Sequence, residues 1–187
     1  MLINNLSNSE NSSTKLHHRQ ETRLFIRRMK QAGQRVIIVT GCFDLLHKGH
    51  VQFLKRAKAN GDILVVGIED DMRVRAFKGP SRPVNSIIQR VEVMESLAFV
   101  DFVFVISGSP KTKPKRFYAN LHRWLGADAL AISEGDPDSH AKKEQIEAVG
   151  GELITCSFIN NTSTTSILHH FLSRLNIHTQ FIIRQIQ

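Results

Sequence analysis

Between Thr40 and His50 the chain reads Thr-Gly-Cys-Phe-Asp-Leu-Leu-His-Lys-Gly-His, so two histidines, His47 and His50, flank Gly49 where a helical pattern begins. Gly49 lets a phosphate approach the backbone closely, and the free N–H groups of a helix N-terminus favour an anion. Two imidazoles at that point can donate to phosphoryl oxygens whose negative charge grows in a transition state. The alternative is a pair of helix-capping or solvent-facing histidines. The position of the motif, directly after a predicted strand, favours phosphate chemistry.

The elements that must position these residues alternate between two periods. Arg35–Thr40 is a short β-branched run bounded by Gly33 and Gly41, which predicts a buried strand. Helical spacing of Val51, Phe53, Leu54 and Ala57 predicts a helix over 50–60, ended by Gly61. The alternation continues with strands over 62–68, 101–106, 128–132 and 152–156, and helices over 86–98, 115–125, 139–149 and 163–175. A basic amphipathic helix over 17–33 precedes the first strand. Five strands alternating with helices through short connections predict a three-layer α/β/α fold, Rossmann-like, with a five-stranded parallel sheet. Ligands of such sheets bind beyond the carboxyl ends of the strands. The first strand ends at Thr40–Gly41, where the motif begins.

Composition narrows the class. A chain of 187 residues, 41% hydrophobic and 22% charged, can bury the core of one ordinary domain. Two cysteines, Cys42 and Cys156, supply neither a disulfide framework nor the repeated spacing of a zinc ribbon. No apolar run is long enough for a membrane span, and the first residues lack the pattern of a signal peptide, so a cytoplasmic protein is expected. Lys and Arg exceed Asp and Glu by 25 to 17, a formal charge of +8, which raises the local concentration of anionic partners. Residues 1–16 are dominated by polar types and predict a disordered tail, and 177–187 a C-terminal tail that is a candidate strand or homodimer contact.

The stretch Gly41-Cys42-Phe43-Asp44-Leu45-Leu46-His47-Lys48-Gly49-His50 resembles the nucleotide-binding signature of the cytidylyltransferase-like nucleotidyltransferase superfamily. The continuation Lys78-Gly79-Pro80-Ser81-Arg82-Pro83-Val84-Asn85, then Arg90 and Val100-Asp101, is more similar to the adenylyltransferase domain of ADP-heptose synthesis than to the glycerol-3-phosphate cytidylyltransferases. Ser163-Thr164-Thr165 matches the Ser-Thr-Thr before the last helix of that family. The resemblance spans about 34–176, the expected domain, and implies the HUP-type nucleotidyltransferase fold. It implies catalytic roles for His47, His50 and Lys78. It also implies nucleotide contacts from Gly41, Cys42, Phe43, Asp44, Gly49, Arg82, Arg90, Ser163, Thr164 and Thr165. For Asp44 the residues leave capping of the following turn equally open, for Arg90 a helix-surface ion pair, and for the hydroxyl trio a helix cap.

Two departures bear on substrate. Relatives of the adenylyltransferase kind carry a Lys-Gly-Gly-Asp-Tyr-like stretch after the fourth strand, where this chain has Ser133-Glu134-Gly135-Asp136-Pro137-Asp138. The Arg-Thr-Glu-Gly of the cytidylyltransferases is replaced by Phe158-Ile159-Asn160-Asn161, which argues against CTP. No sugar-kinase sequence precedes the motif, so the expectation is the transferase half alone. The resemblance therefore implies transfer of AMP from ATP to a sugar 1-phosphate such as a heptose 1-phosphate, with release of pyrophosphate. Mg²⁺ is expected to arrive with the nucleotide, and no metal ligand is assigned to the chain. The alternatives are a CTP-dependent enzyme acting on glycerol 3-phosphate or another alcohol phosphate, and a non-catalytic nucleotide-binding regulator. Nucleic acid is the least favoured partner.

Overall fold

In the computed structural model, which describes residues 19–109, 114–157, 164, 166–167 and 169–174, the β-branched runs form one sheet. Its strands are β1 (Val36–Gly41), β2 (Ile63–Glu69), β3 (Phe102–Ile106), β4 (Ala129–Ser133) and β5 (Glu152–Cys156). All neighbours pair in parallel, in the order β3-β2-β1-β4-β5. The helices are α1 (Arg19–Gln31), α2 (Lys48–Lys58), α3 (Asp71–Lys78), α4 (Ile87–Glu95), α5 (Pro114–Leu125) and α6 (Ser139–Glu147).

Side chains alternate along each strand, so a parallel sheet must be covered on both faces. On one face Ile37, Val39 and Val66 pack against Leu54 and Ala57 of α2 and Val91 and Met94 of α4. On the other, Val36, Ile38, Val65 and Leu130 pack against Ile26 of α1, Leu121 and Leu125 of α5 and Ile146 of α6. Each fully buried aliphatic side chain contributes about 1.5–3 kcal/mol, so both layers are needed to hold the sheet. Gly67 admits the ring of Phe104 against the sheet: a Cβ there would lie 2.7 Å from that ring. The three-layer α/β/α architecture expected from the alternation is the one observed.

Two local differences are informative. The second helix starts at Lys48 rather than His50, which leaves His47 at the N-cap and draws Gly49 into the buried first turn. Asp71–Lys78 forms α3, although its sequence DMRVRAFK has no apolar stripe. Asp70 caps it by accepting from the Arg73 N–H at 2.8 Å. Ser86 and Gln89 form a capping box at the start of α4. His169 and His170 are exposed in a helical C-terminal segment, within the helix expected over 163–175. The N-terminal tail, residues 111–113, Phe158–Asn161, Ser163, Thr165 and the 177–187 tail lie outside the described residues. Among the described residues no helix is long and apolar enough to cross a membrane.

Candidate active site

The order of the strands reverses between β1 and β4, and beyond their carboxyl ends lies a cleft of about 460 Å³. Thr40 and Gly41 of β1 form one wall, and Ala131, Ile132 and Ser133 of β4 form the other. The chain leaves β1 through Phe43, which adopts φ 44°, an uncommon conformation for a bulky residue. This turn folds the Phe43 ring back into the core and over Gly41, where a Cβ would lie only 3.0 Å from it. Gly41 is therefore required by packing as well as by the cleft.

The same turn delivers His47 and His50. Their rings stack with centroids 3.8 Å apart, and Phe43 meets His50 edge-on at 5.4 Å. Both Nδ1 atoms are buried without a protein hydrogen-bond partner. Burial pushes His50 down to about 4, with the adjacent His47 adding to the effect and the Leu45 carbonyl opposing it. Burial lowers His47 as well. Both shifts favour the neutral imidazole in the free protein. No side chain caps the N-terminus of α2, whose first N–H groups lack intrahelical partners.

The remaining charges around the motif are engaged with one another. The Asp44 carboxylate accepts from the N–H groups of Val84 and Asn85, both at 2.9 Å, and from Arg82 Nε at 2.6 Å. Burial alone would raise this carboxyl, but the two N–H groups and the guanidinium outweigh it and hold it below the usual range. Asp44 thus clips the loop between α3 and α4 to the end of β1. Arg90 is 2% exposed and donates to the carbonyls of Cys42, Glu69 and Asn85 and to the Asp71 carboxylate. It ties the ends of β1 and β2 to α3 and α4 from inside the fold and does not line the cleft. That differs from the nucleotide contact that the resemblance implies for it. The reason is its place on the buried face of α4, beside Val91 and Met94.

Lys78, the last residue of α3 rather than a loop residue, lines the cleft, as do Arg82, Cys42 and Thr164. Burial, followed by the charge of Glu69, raises the Cys42 thiol, so it stays protonated. Thr164 Oγ1 donates to the Leu45 carbonyl at 3.4 Å. Lys142 of α6 was not anticipated. It lines the cleft and meets Asp136 Oδ2 at 2.6 Å, so the acidic residue of the 133–138 segment comes with its own cation. Among the described residues no group of three or more His, Cys, Asp or Glu could hold a metal ion.

Residues 38–170, the span that builds this cleft, match the cytidylyltransferase-like family. The chain belongs to it. With that membership comes the nucleotidyltransferase class expected from the motif. The chain is 40% identical over 147 residues to the bifunctional protein HldE of Shewanella amazonensis, and 36% identical over 151 residues to that of Chromohalobacter salexigens. These matches cover 78% and 80% of this chain but only 29% and 30% of those proteins, so the chain spans under a third of their length. Among solved structures, the lipopolysaccharide core biosynthesis protein of Thermoplasma volcanium superposes with a TM-score of 0.53 at 23% identity, covering 70% of this chain and all of that one. Pantoate-beta-alanine ligase of Francisella tularensis gives 0.57 at 18% identity, covering 76% of this chain and 66% of that one. Within the family cleft, His47, His50, Lys78, Gly41, Cys42, Phe43, Asp44, Arg82 and Thr164 converge, while Gly49 sits just behind them in the first turn of α2.

Proposed function

We propose that the protein transfers AMP from ATP to a sugar 1-phosphate of the heptose class and releases pyrophosphate. The observation that carries this reading is the stacked His47–His50 pair, which lines the cleft beside the uncapped α2 N-terminus with both Nδ1 atoms lacking a protein partner. The heptose class is supported by the similarity to HldE proteins. In the reaction, an ionised oxygen of the acceptor phosphate attacks the α-phosphorus of ATP. The bond from that phosphorus to the bridging oxygen breaks, and its electron pair leaves on pyrophosphate. The attacking group is already ionised at neutral pH, so positioning and charge neutralisation supply the catalysis. His47 and His50 donate to the α-phosphate and bridging oxygens, and Lys78 and Arg82 draw off charge from the tail of the nucleotide. Mg²⁺ belongs to the substrate as a nucleotide complex. That assignment fits a chain whose nearest carboxylates, Asp44 and Asp136, are engaged by Arg82 and Lys142.

The test is pyrophosphate release with Mg²⁺ and either ATP or CTP against a panel of sugar and alditol phosphates, with His50→Ala as control. Turnover confined to ATP with heptose 1-phosphate, and lost in the variant, is the expected result. Turnover with CTP and glycerol 3-phosphate instead would replace the substrates. Nucleotide binding without turnover on any acceptor would favour the regulator.

A further inference from the structure

Beside the cleft lies a second hollow of about 330 Å³, sharing Thr40, Gly41, Cys42, Lys78 and Lys142 with it. Its walls differ in charge. The cations Lys78 and Lys142 stand where the two spaces meet, because they line both. Glu69 and Tyr118 line only the second space. The Glu69 carboxylate is 3% exposed, accepts from the Tyr118 hydroxyl through Oε1 and from Arg73 Nε through Oε2. Arg73 is held in turn, 1% exposed and with its guanidinium 4.1 Å above the Phe117 ring. Each carboxylate oxygen retains a lone pair for one more donor. With its charge balanced by Arg73, this buried acid offers a phosphate no attraction, while its free lone pairs accept hydroxyl donors. Lys142 meanwhile is paired with Asp136, whose other oxygen accepts from the Asp138 N–H at 2.9 Å. Asp136 thus holds the ammonium group in place until a stronger anion competes for it.

We propose that this second hollow is the acceptor subsite: Lys142 and Lys78 hold the acceptor's phosphate at its mouth, and Glu69 with Tyr118 receives the acceptor's hydroxyl groups. The assignment rests on the nucleotidyl-transfer reading above and makes it more specific. It selects a phosphorylated polyol over a simple alkyl phosphate, because a hydrocarbon tail would bury Glu69 and Tyr118 without offering them a donor. It also orients the acceptor, with phosphate toward the nucleotide and carbinol groups toward β2 and α5. Lys142 and Tyr118 are then specificity-determining residues supplied by α6 and α5, outside the nucleotide motif.

The experiment is calorimetric binding of heptose 1-phosphate and of ethyl phosphate to the full chain saturated with a non-hydrolysable ATP analogue and Mg²⁺. Lys142→Met is expected to weaken both ligands about 10–100-fold, the loss of a charge-assisted bond, and the analogue by clearly less, since Lys142 stands at the border of the nucleotide cleft. Tyr118→Phe is expected to weaken heptose 1-phosphate about 3–10-fold and leave ethyl phosphate unchanged. Unaltered affinity for heptose 1-phosphate in both variants overturns the subsite, and so does a parallel loss of the analogue. Absence of turnover in the pyrophosphate assay, with this binding pattern intact, would instead remove the transfer reading and keep the site. Should Lys142→Met fail to fold, Lys142→Gln carries the same comparison.

Discussion

The two histidines of the motif and the three arginines around it are all polar groups near one opening, yet the fold treats them oppositely. Arg73, Arg82 and Arg90 each meet a carboxylate, and Arg90 takes three backbone carbonyls in addition. His47 and His50 keep buried Nδ1 atoms that no protein group satisfies. Removing a partner from a buried charge leaves an uncompensated ion, whereas an unsatisfied imidazole already bears its desolvation cost in the free state. Around this cleft the difference separates scaffold from reagent: Arg73 and Arg90 hold the shape, Arg82 both clips its loop and faces the cleft, and the histidines keep donors for a ligand.

The sharpest way to break this contrast is to truncate one member of each set. Arg90→Ala strips several buried acceptors of their donor and should cost about 3–5 kcal/mol of stability. Thermal or urea unfolding reads it, and a loss under about 1 kcal/mol would show that the network is not structural. His50→Ala should do the reverse, lowering kcat about 10²–10³-fold, as loss of one oxyanion donor does, with the midpoint of unfolding nearly unchanged. Unaltered turnover in that variant would transfer the catalytic role elsewhere.

A smaller effect sharpens the same comparison through pH. Because His50 is pushed down to about 4 in the free protein, the unfolded chain takes up a proton that the native site refuses as pH falls below about 6.5. Stability of the free protein therefore declines from there toward pH 4, and His122, buried and likewise near 4, adds to the decline. A bound triphosphate reverses the sign, since it favours the imidazolium. Nucleotide affinity should rise a few-fold from pH 7.5 to 5.5 with net proton uptake, seen by calorimetry in buffers of different ionisation enthalpy. The same pH dependence in His50→Ala would assign it to the nucleotide instead.

Much of the fold was legible because it rests on period. Runs such as Ile37-Ile38-Val39 and Leu64-Val65-Val66 are buried on both faces, so composition alone marks them as strands. The α3 helix escaped because its buried members are Arg73 and Val74, and a buried arginine looks like a surface one until its partners are known. Its Asp70 cap was the available signal. In the site, His47 and His50 were readable as a linear motif, and Lys78 only through the family resemblance. The role of Arg90 was not, because most of its acceptors are main-chain carbonyls, which every residue carries. Asp44 was open between a ligand and a cap. The structure gives it a third task, anchoring Val84 and Asn85 some 40 positions away. Lys142 stayed hidden because only the fold brings it to the same cleft as Lys78.

The seam between β1 and β4 has a consequence for how such an enzyme can change. β1 is registered with β2 along its whole length, from Val36–Ile63 to Gly41–Ile68, but with β4 only through Ile37–Ala129 and Ile38–Leu130. Past that point the two halves of the sheet diverge. The half carrying the histidines and the half carrying 133–142 are thus joined within the sheet by only two register pairs, the covering helices holding the rest. A lineage could rewrite β4, its following loop and α6 to admit a new acceptor while the triphosphate end keeps its geometry, so the weakest join in the sheet is also where new substrates can enter.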